Sequence, residues 1–203
     1  LSVDPRITAS DAGERAVGLV REDPPAHDGE TADLTGVGPG ATELVVYRMG
    51  ATRGEAGMAG VPPAEAGPIR EEEERRSAAV VGVSEVEFLD HRDGVLVAGP
   101  ELRRDLAGAI RRHRPELVVT GYFGPTWTPP GVSPAYLNSA DHQALGQSVL
   151  DAVADAGNEW IFPELTEERW GGVQYIAVGE LLDPPHEVDV ADQVEKAVAS
   201  LVE

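Results

Sequence analysis

The sequence contains no cysteine, and its 16 lysine and arginine residues are outnumbered by 36 acidic residues. Without cysteine the chain forms no disulfide and no thiolate metal site, so any bound metal needs nitrogen or oxygen ligands. The formal net charge of -20 argues against a nucleic-acid binder, because that affinity depends on basic side chains displacing counterions from phosphates. We therefore expect a small-molecule partner and no nucleic acid.

Long hydrophobic runs are also missing. No apolar stretch approaches the length that spans a bilayer, and the first residues lack the basic and then apolar order of a signal peptide. These features lead us to expect a cytoplasmic protein with no membrane partner. A chain of 203 residues suits one α/β domain over residues 1–203, and its oligomeric state, homo-oligomer or monomer, stays open.

Apolar runs alternate with helical patterns along most of the chain. The runs predict strands at residues 16–20, 43–49, 83–89, 117–120 and 173–178, with a further short apolar run at 160–162. Helices are predicted at residues 69–81, 101–113 and 191–202, and another after Ser139. Residues 21–42 are rich in proline and glycine and are predicted to be a loop or poorly ordered. This alternation predicts a mostly parallel sheet, which binds ligands beyond the carboxyl ends of its strands.

One polar stretch, Asn138-Ser139-Ala140-Asp141-His142, lies where a long loop meets the most regular helical pattern. Ser139 is a good N-cap residue, because its hydroxyl can accept a hydrogen bond from a first-turn backbone N–H. Asp141 and His142 then fall in the first turn, ahead of an apolar stripe that includes Leu145 and Val149. The stretch therefore predicts either a metal or catalytic site at a helix N-terminus or simply a capped helix with a polar first turn.

Several motifs resemble the LmbE/PIG-L family of metal-dependent N-deacetylases, in order and spacing, from about residue 43 to residue 156. They are Ala51-Thr52-Arg53-Gly54-Glu55-Ala56-Gly57, Arg70-Glu71-Glu72-Glu73, Phe88-Leu89-Asp90 with Asp93-Gly94, residues 111–120, and Ala140-Asp141-His142 with Gly146. The resemblance implies a Rossmann-like three-layer α/β sandwich. It also implies a zinc-dependent hydrolase that removes an acetyl group from an N-acetylated amino sugar or its conjugate.

The resemblance also implies roles for particular residues. In the family, a later His-x-Asp-His motif provides a metal ligand from its last histidine, which corresponds to His142. We assign a catalytic role to Asp141 of the same motif. Arg70 corresponds to a substrate-binding arginine, or is an exposed residue that pairs with Glu73 or Glu74. Asp93 corresponds to an aspartate that reaches a sugar hydroxyl, or belongs to an ordinary Asp-Gly turn.

The family's first motif, His-Pro-Asp-Asp, has no intact counterpart in this chain. One alignment makes His27 a metal ligand and Asp28 the general base, with Gly29 at the position of the carboxylate ligand. Asp28 or Glu30 would then have to replace that ligand. A second alignment places Glu22-Asp23, directly after the first strand, at the motif's position and provides no histidine.

The later motif differs from the family as well, because Ser139 occupies the position of its first histidine. Serine can form hydrogen bonds but cannot bear a positive charge. Two functional hypotheses follow: an active zinc deacetylase, and a catalytically silent relative that binds small molecules or regulates without metal. A third alternative is that residues 21–42 are not a true version of the family's first motif.

Overall fold

The computed structural model describes residues 16–22, 44–127, 136–179 and 189–203. These residues form one five-stranded sheet with helices on both faces, consistent with the predicted Rossmann-like α/β class. The strands are β1 (Ala16–Glu22), β2 (Leu44–Gly50), β3 (Glu85–Phe88), β4 (Leu117–Thr120) and β5 (Tyr175–Val178). The helices are α1 (Pro63–Val80), α2 (Pro100–His113), α3 (Ala140–Gly157) and α4 (Val194–Leu201).

The sheet has the strand order β3-β2-β1-β4-β5, and four of its strands run in the same direction. The first strand is central, and it runs antiparallel to both neighbours, β2 and β4, whereas a mostly parallel sheet was predicted. It also continues to Glu22, so Arg21 and Glu22 belong to a strand and not to the predicted loop. Residues 23–42 of that predicted loop lie outside the described part of the chain.

Side chains of β2 alternate between two helical layers. Val46 packs against the cluster in which α1 contributes Ala78, whereas Tyr47 and Met49 pack on the other face against the cluster formed by α2 and α3. Because successive side chains of a strand point to opposite faces, one strand contributes to both clusters. The predicted three-layer arrangement is therefore present, with the larger core on the α2 and α3 face.

The helical spacing of residues 101–113 is confirmed, because Leu102, Leu106 and Ile110 are all buried in α2. By contrast, the prediction that α1 starts at Ile69 is wrong by six residues. The helix begins at Pro63, where proline suits the first turn because no intrahelical N–H bond is needed there. Pro68 lies inside the helix, and this first part packs against the turn that contains Glu55.

Two predicted strands were too wide, because β3 and β5 are both shorter than predicted. The short apolar run at 160–162 forms bends, in which Phe162 has a φ of 52°. The closing helix begins with a 3-10 turn, Ala191–Gln193, before α4. It packs on α1 through buried Ser200, whose hydroxyl donates to the Ser77 carbonyl at 3.1 Å. Of the helices in the described ranges, none is long and apolar enough to cross a bilayer.

Glu87 of β3 gives the fold a pH-dependent contact with the end of α2. Its Oε2 lies 2.7 Å from His113 Nε2, and Arg112 pairs with the other carboxylate oxygen. The His113 hydrogen bond, and then Arg112, lower the pKa of Glu87 below its ordinary value of 4.5. Between the lowered pKa and 4.5 the unfolded chain binds more protons than the folded one, so stability rises with pH there.

We therefore expect acid to remove a stabilising contribution as the pH falls below about 4.5 and through the folded pKa of Glu87. The variant Glu87→Gln should lower stability at neutral pH and flatten this part of the profile. Urea unfolding at several pH values measures both effects. Glu85→Gln removes the same charge from an exposed position of the same strand and serves as the control. An unchanged slope in Glu87→Gln would contradict the assignment.

Candidate active site

Turns that follow β2 and β3 are joined by hydrogen bonds at the edge where these parallel strands end. The buried Asp93 side chain accepts from the Ala56 backbone N–H at 2.9 Å and from the Thr52 hydroxyl at 3.4 Å. In return, the Asp93 backbone N–H donates to Glu55 Oε1 at 2.8 Å. This places Asp93 at the predicted edge in a structural turn. Its predicted contact with substrate stays a prediction.

Asp141 attaches the N-terminus of α3 to the second of these turns. It is buried, and its two carboxylate oxygens accept the backbone N–H groups of Gly94 at 2.8 Å and Leu96 at 3.1 Å. Carboxylate oxygens bound in this way hold the turn against the helix. The catalytic role expected of Asp141 stays a prediction, and these contacts are those of a residue that positions its neighbours.

His142 lies in the first turn of α3, as the sequence predicted. The Ser139 hydroxyl accepts the His142 backbone N–H at 3.1 Å, which confirms Ser139 as the N-cap residue. The imidazole Nδ1 lies 2.7 Å from Oδ1 of Asn138, a side chain that is itself buried. The helix N-terminus therefore presents a half-buried histidine whose orientation depends on a neighbouring amide.

An aromatic pair, Trp127 and Tyr122, lies next to this histidine in the loop that precedes α3. The Trp127 ring meets His142 edge-on with a centroid distance of 6.0 Å, and Tyr122 packs against Trp127 at 5.1 Å. The backbone N–H of Trp127 donates to the backbone carbonyl of Tyr136 at 2.8 Å, and a β-bridge joins Thr126 to Leu137. These backbone contacts hold residues 122–127, the aromatic segment, beside α3.

Arg70 lies close to the turn that follows β2. A side chain added at Gly54, whose φ is +66°, would place its Cβ 3.7 Å from Arg70 Nε. Arg70 also pairs with Glu73 along α1, as one of the two alternatives expected. Its neighbour Arg53 bonds to Glu71 and Asp90, and these two carboxylates raise the pKa of the Arg53 guanidinium. Substrate binding by Arg70 stays a prediction.

The residues predicted from the family's first motif cannot be placed. His27 and Asp28, with the alternatives Asp23 and Glu30, lie outside the described residues. Glu22, however, pairs with Leu44 at the start of β2, whereas Ala16 pairs with Gly50 at its end. The reversed direction of β1 therefore places Glu22 at the edge opposite the turns described above. Both alignments of the first motif therefore require the chain to return from that edge, and both stay predictions.

The described ranges contain one predicted metal ligand and no complete ligand group. Within residues 16–22, 44–127, 136–179 and 189–203, no group of three histidine, aspartate or glutamate side chains could hold a metal ion. Among the predicted ligands, these ranges contain only His142. Sequence reasoning missed the role of Asn138, which directly precedes the N-cap and contacts His142. An asparagine one helical turn before a candidate ligand was the available signal.

Comparison with known proteins places these motifs in a family. Residues 41–153 match the PIG-L family, described as GlcNAc-PI de-N-acetylase. A diacetylchitobiose deacetylase of Thermococcus kodakarensis is 34% identical over 109 residues, which are 54% of this chain and 36% of that protein. A probable N-acetyl-alpha-D-glucosaminyl L-malate deacetylase 2 of Bacillus anthracis is 28% identical over 137 residues, covering 66% of this chain and 53% of the relative.

The fold resembles a solved member of the same group. The structure of N,N'-diacetylchitobiose deacetylase from Pyrococcus horikoshii, complexed with its inhibitor MPG, matches with a TM-score of 0.62 at 25% identity. The match covers 75% of this chain and 55% of that one. The chain spans about a third of the length of the Thermococcus relative and about half of the length of the Bacillus relative. Since the family match covers more than half of its residues, the chain belongs to the PIG-L family.

Proposed function

We propose that this chain is a metal-dependent hydrolase that removes an acetyl group from an N-acetylated amino sugar or its conjugate, with zinc as the metal. The observation on which the proposal depends is the position of His142, in the first turn of α3 beside the turns that follow the parallel strands. In open α/β sheets this edge is where ligands bind. Both curated relatives are named as deacetylases of N-acetylated sugar compounds, which supports the same chemistry.

The donor chemistry of His142 fits a metal ligand. Ligating histidines usually donate their second ring N–H to a carbonyl or carboxylate oxygen, and His142 Nδ1 faces an amide oxygen at 2.7 Å. Zinc is held by nitrogen and oxygen ligands in a protein without cysteine. A catalytic zinc site commonly has three protein ligands, so two more must join His142. In the proposal they come from the segment that contains His27, Asp28 and Glu30, which requires the chain after Glu22 to return to the edge where His142 lies.

Zinc, when bound, would lower the pKa of a water molecule and polarise the acetamide carbonyl. In the proposal Asp28 takes the proton of the attacking water, as a carboxylate general base does. Asp141 and Asp93 hold the turns around the reaction centre through their bonds to backbone N–H groups. Arg70, beside Gly54, would bind polar groups of the substrate.

The aromatic segment beside His142 supports a sugar substrate. Tyr122 packs against Trp127, Trp127 meets the histidine, and aromatic faces stack on the apolar faces of sugar rings. We infer that the acetylated ring binds between this segment and the turn at Gly54. Diacetylchitobiose is a disaccharide of N-acetylglucosamine, and the other curated relative is named for an N-acetylglucosaminyl conjugate. Compounds that contain N-acetylglucosamine are therefore the first to test.

A second function is favoured by one observation, which is that the Ser139 hydroxyl, at the position of the family's first histidine in the later motif, is used to cap α3. A catalytically silent relative would keep the pocket and bind the intact conjugate without metal. The two functions predict opposite results in a metal and product assay.

The experiment measures metal content and acetate release in the same preparation. If the chain is a deacetylase, elemental analysis should find close to one zinc per chain, and diacetylchitobiose or an N-acetylglucosaminyl conjugate should release acetate. Removing the metal with a chelator should abolish release, and added zinc should restore it. A protein that takes up no metal and releases no acetate, but binds the intact conjugate in calorimetry, would establish the silent relative instead.

A further inference from the structure

The side chain of Asn138 makes four hydrogen bonds while only 5% exposed. Its Nδ2 donates to the Tyr122 carbonyl at 3.2 Å and to the Gly124 carbonyl at 2.9 Å. Because only the NH₂ end of an amide can donate to carbonyl oxygens, these two bonds determine which end is nitrogen. The remaining atom, Oδ1, accepts the Ser139 backbone N–H at 2.8 Å and faces His142 Nδ1 at 2.7 Å.

The orientation of this amide determines the protonation pattern of the neighbouring ring. Oδ1 can only accept a hydrogen bond, so His142 Nδ1 must carry the hydrogen. In a neutral imidazole one nitrogen is protonated and the other has the lone pair. The lone pair of neutral His142 therefore belongs to Nε2, the atom farther from the backbone.

We propose that Asn138 is a positioning residue that holds His142 in the Nδ1–H tautomer and connects it to the aromatic segment. The same amide that contacts the imidazole also bonds to the carbonyls of Tyr122 and Gly124, which precede Trp127. Any rearrangement of this segment that breaks those two bonds would free the amide to rotate and release the ring. The orientation of His142 thus depends on how the aromatic segment is placed.

The tautomer follows from these contacts alone, whereas its use in binding metal through Nε2 rests on the proposed function. A test must therefore measure directly which ring nitrogen of His142 is protonated. In metal-free protein, ¹⁵N shifts of His142, identified by comparison with His142→Ala, distinguish protonated from unprotonated ring nitrogens. We expect Nδ1 protonated and Nε2 unprotonated above the pKa of the ring. A wild-type ring with Nε2 protonated would overturn the proposal without any variant.

The variant Asn138→Leu removes all four bonds and should allow both tautomers. It should also weaken zinc binding by about 10- to 100-fold, the usual loss when the partner of a ligating histidine is removed. Gln143→Ala is the matched control, because Gln143 touches Asn138 only through the Asn138 backbone carbonyl at 3.2 Å. The control should keep the wild-type tautomer.

The two claims can fail separately. A single Nδ1–H tautomer in wild type, lost in Asn138→Leu, would uphold the positioning role even in a protein that binds no zinc. In that case the proposed function fails alone. An Asn138→Leu protein that keeps the wild-type tautomer would overturn the positioning role, even if the enzyme proves active.

Discussion

Replacing His142 by alanine is expected to reduce zinc affinity by more than about 100-fold, since loss of a ligand should exceed the 10- to 100-fold effect of changing its hydrogen-bond partner. The side chain lies in the first turn of α3, and the Asn138 amide holds its ring. No other predicted ligand lies in the described part of the chain. Acetate release should fall with the bound metal, and metal titration monitored by competition with a chelator measures the affinity.

His113→Ala is the control for this change. His113 ends α2, and its described contacts are with Glu87 and Tyr47 and not with α3 or the turn at Gly94. Its removal should leave zinc affinity within about twofold of wild type, because no metal contact is lost there. A His142→Ala protein that binds zinc as tightly as wild type would remove the main support for the proposed site.

Replacing Arg111 by methionine should lower the free energy of unfolding by about 2 to 3 kcal/mol. The residue is only 4% exposed, yet its positive charge has no carboxylate partner among the hydrogen bonds described. Its guanidinium instead donates to backbone carbonyls at and beyond the C-terminus of α3, where a cation is also favoured by the helix dipole. The acceptors are Asp155, Ala156, Asn158, Ile161 and Phe162, at 3.0 to 3.3 Å.

The loss should be large because methionine removes a charged donor from all five carbonyls, and those of Asn158 and Ile161 have no other donor among the hydrogen bonds described. Arg112→Met, one residue along the same helix, is the matched control. Arg112 pairs with Glu87 and Glu167 on the surface with 43% of its side chain exposed, so its removal should cost no more than about 1 kcal/mol. Urea unfolding monitored by circular dichroism compares the two. Equal losses would show that the carbonyl contacts of Arg111 contribute no more than a surface ion pair.

The elements with strong local patterns were predictable. The helix α2 and the strand β4 appear within one residue of their predicted bounds, and α3 begins directly after Ser139. In each case an apolar period and a terminating or capping residue agree, so local and tertiary preferences favour the same structure. The first turn of α3, which contains Asp141 and His142, was predictable for the same reason.

Other features depend on contacts between segments that are distant in sequence. The start of α1 was missed because its prolines and glycine favour a loop locally, whereas in the fold this part of the helix packs on the turn after β2, where a Cβ added at Gly67 would lie 3.5 Å from the Glu55 Cβ. Gly146 was part of the resemblance, but its physical role appears only in the fold, where Phe123 occupies the space that a side chain would fill. Such close approaches leave no periodic pattern in the sequence.

By itself the sequence determined the family, the alternating α/β pattern and a histidine at a capped helix N-terminus. These follow from local spacing, capping chemistry and motif order. Only the tertiary structure decided that β1 runs antiparallel, that Asp141 holds the Gly94 turn and that Asn138 orients His142. Strand direction and hydrogen-bond partners depend on which groups meet in space, and a buried amide must satisfy its donors and acceptor with whatever groups the fold brings to it.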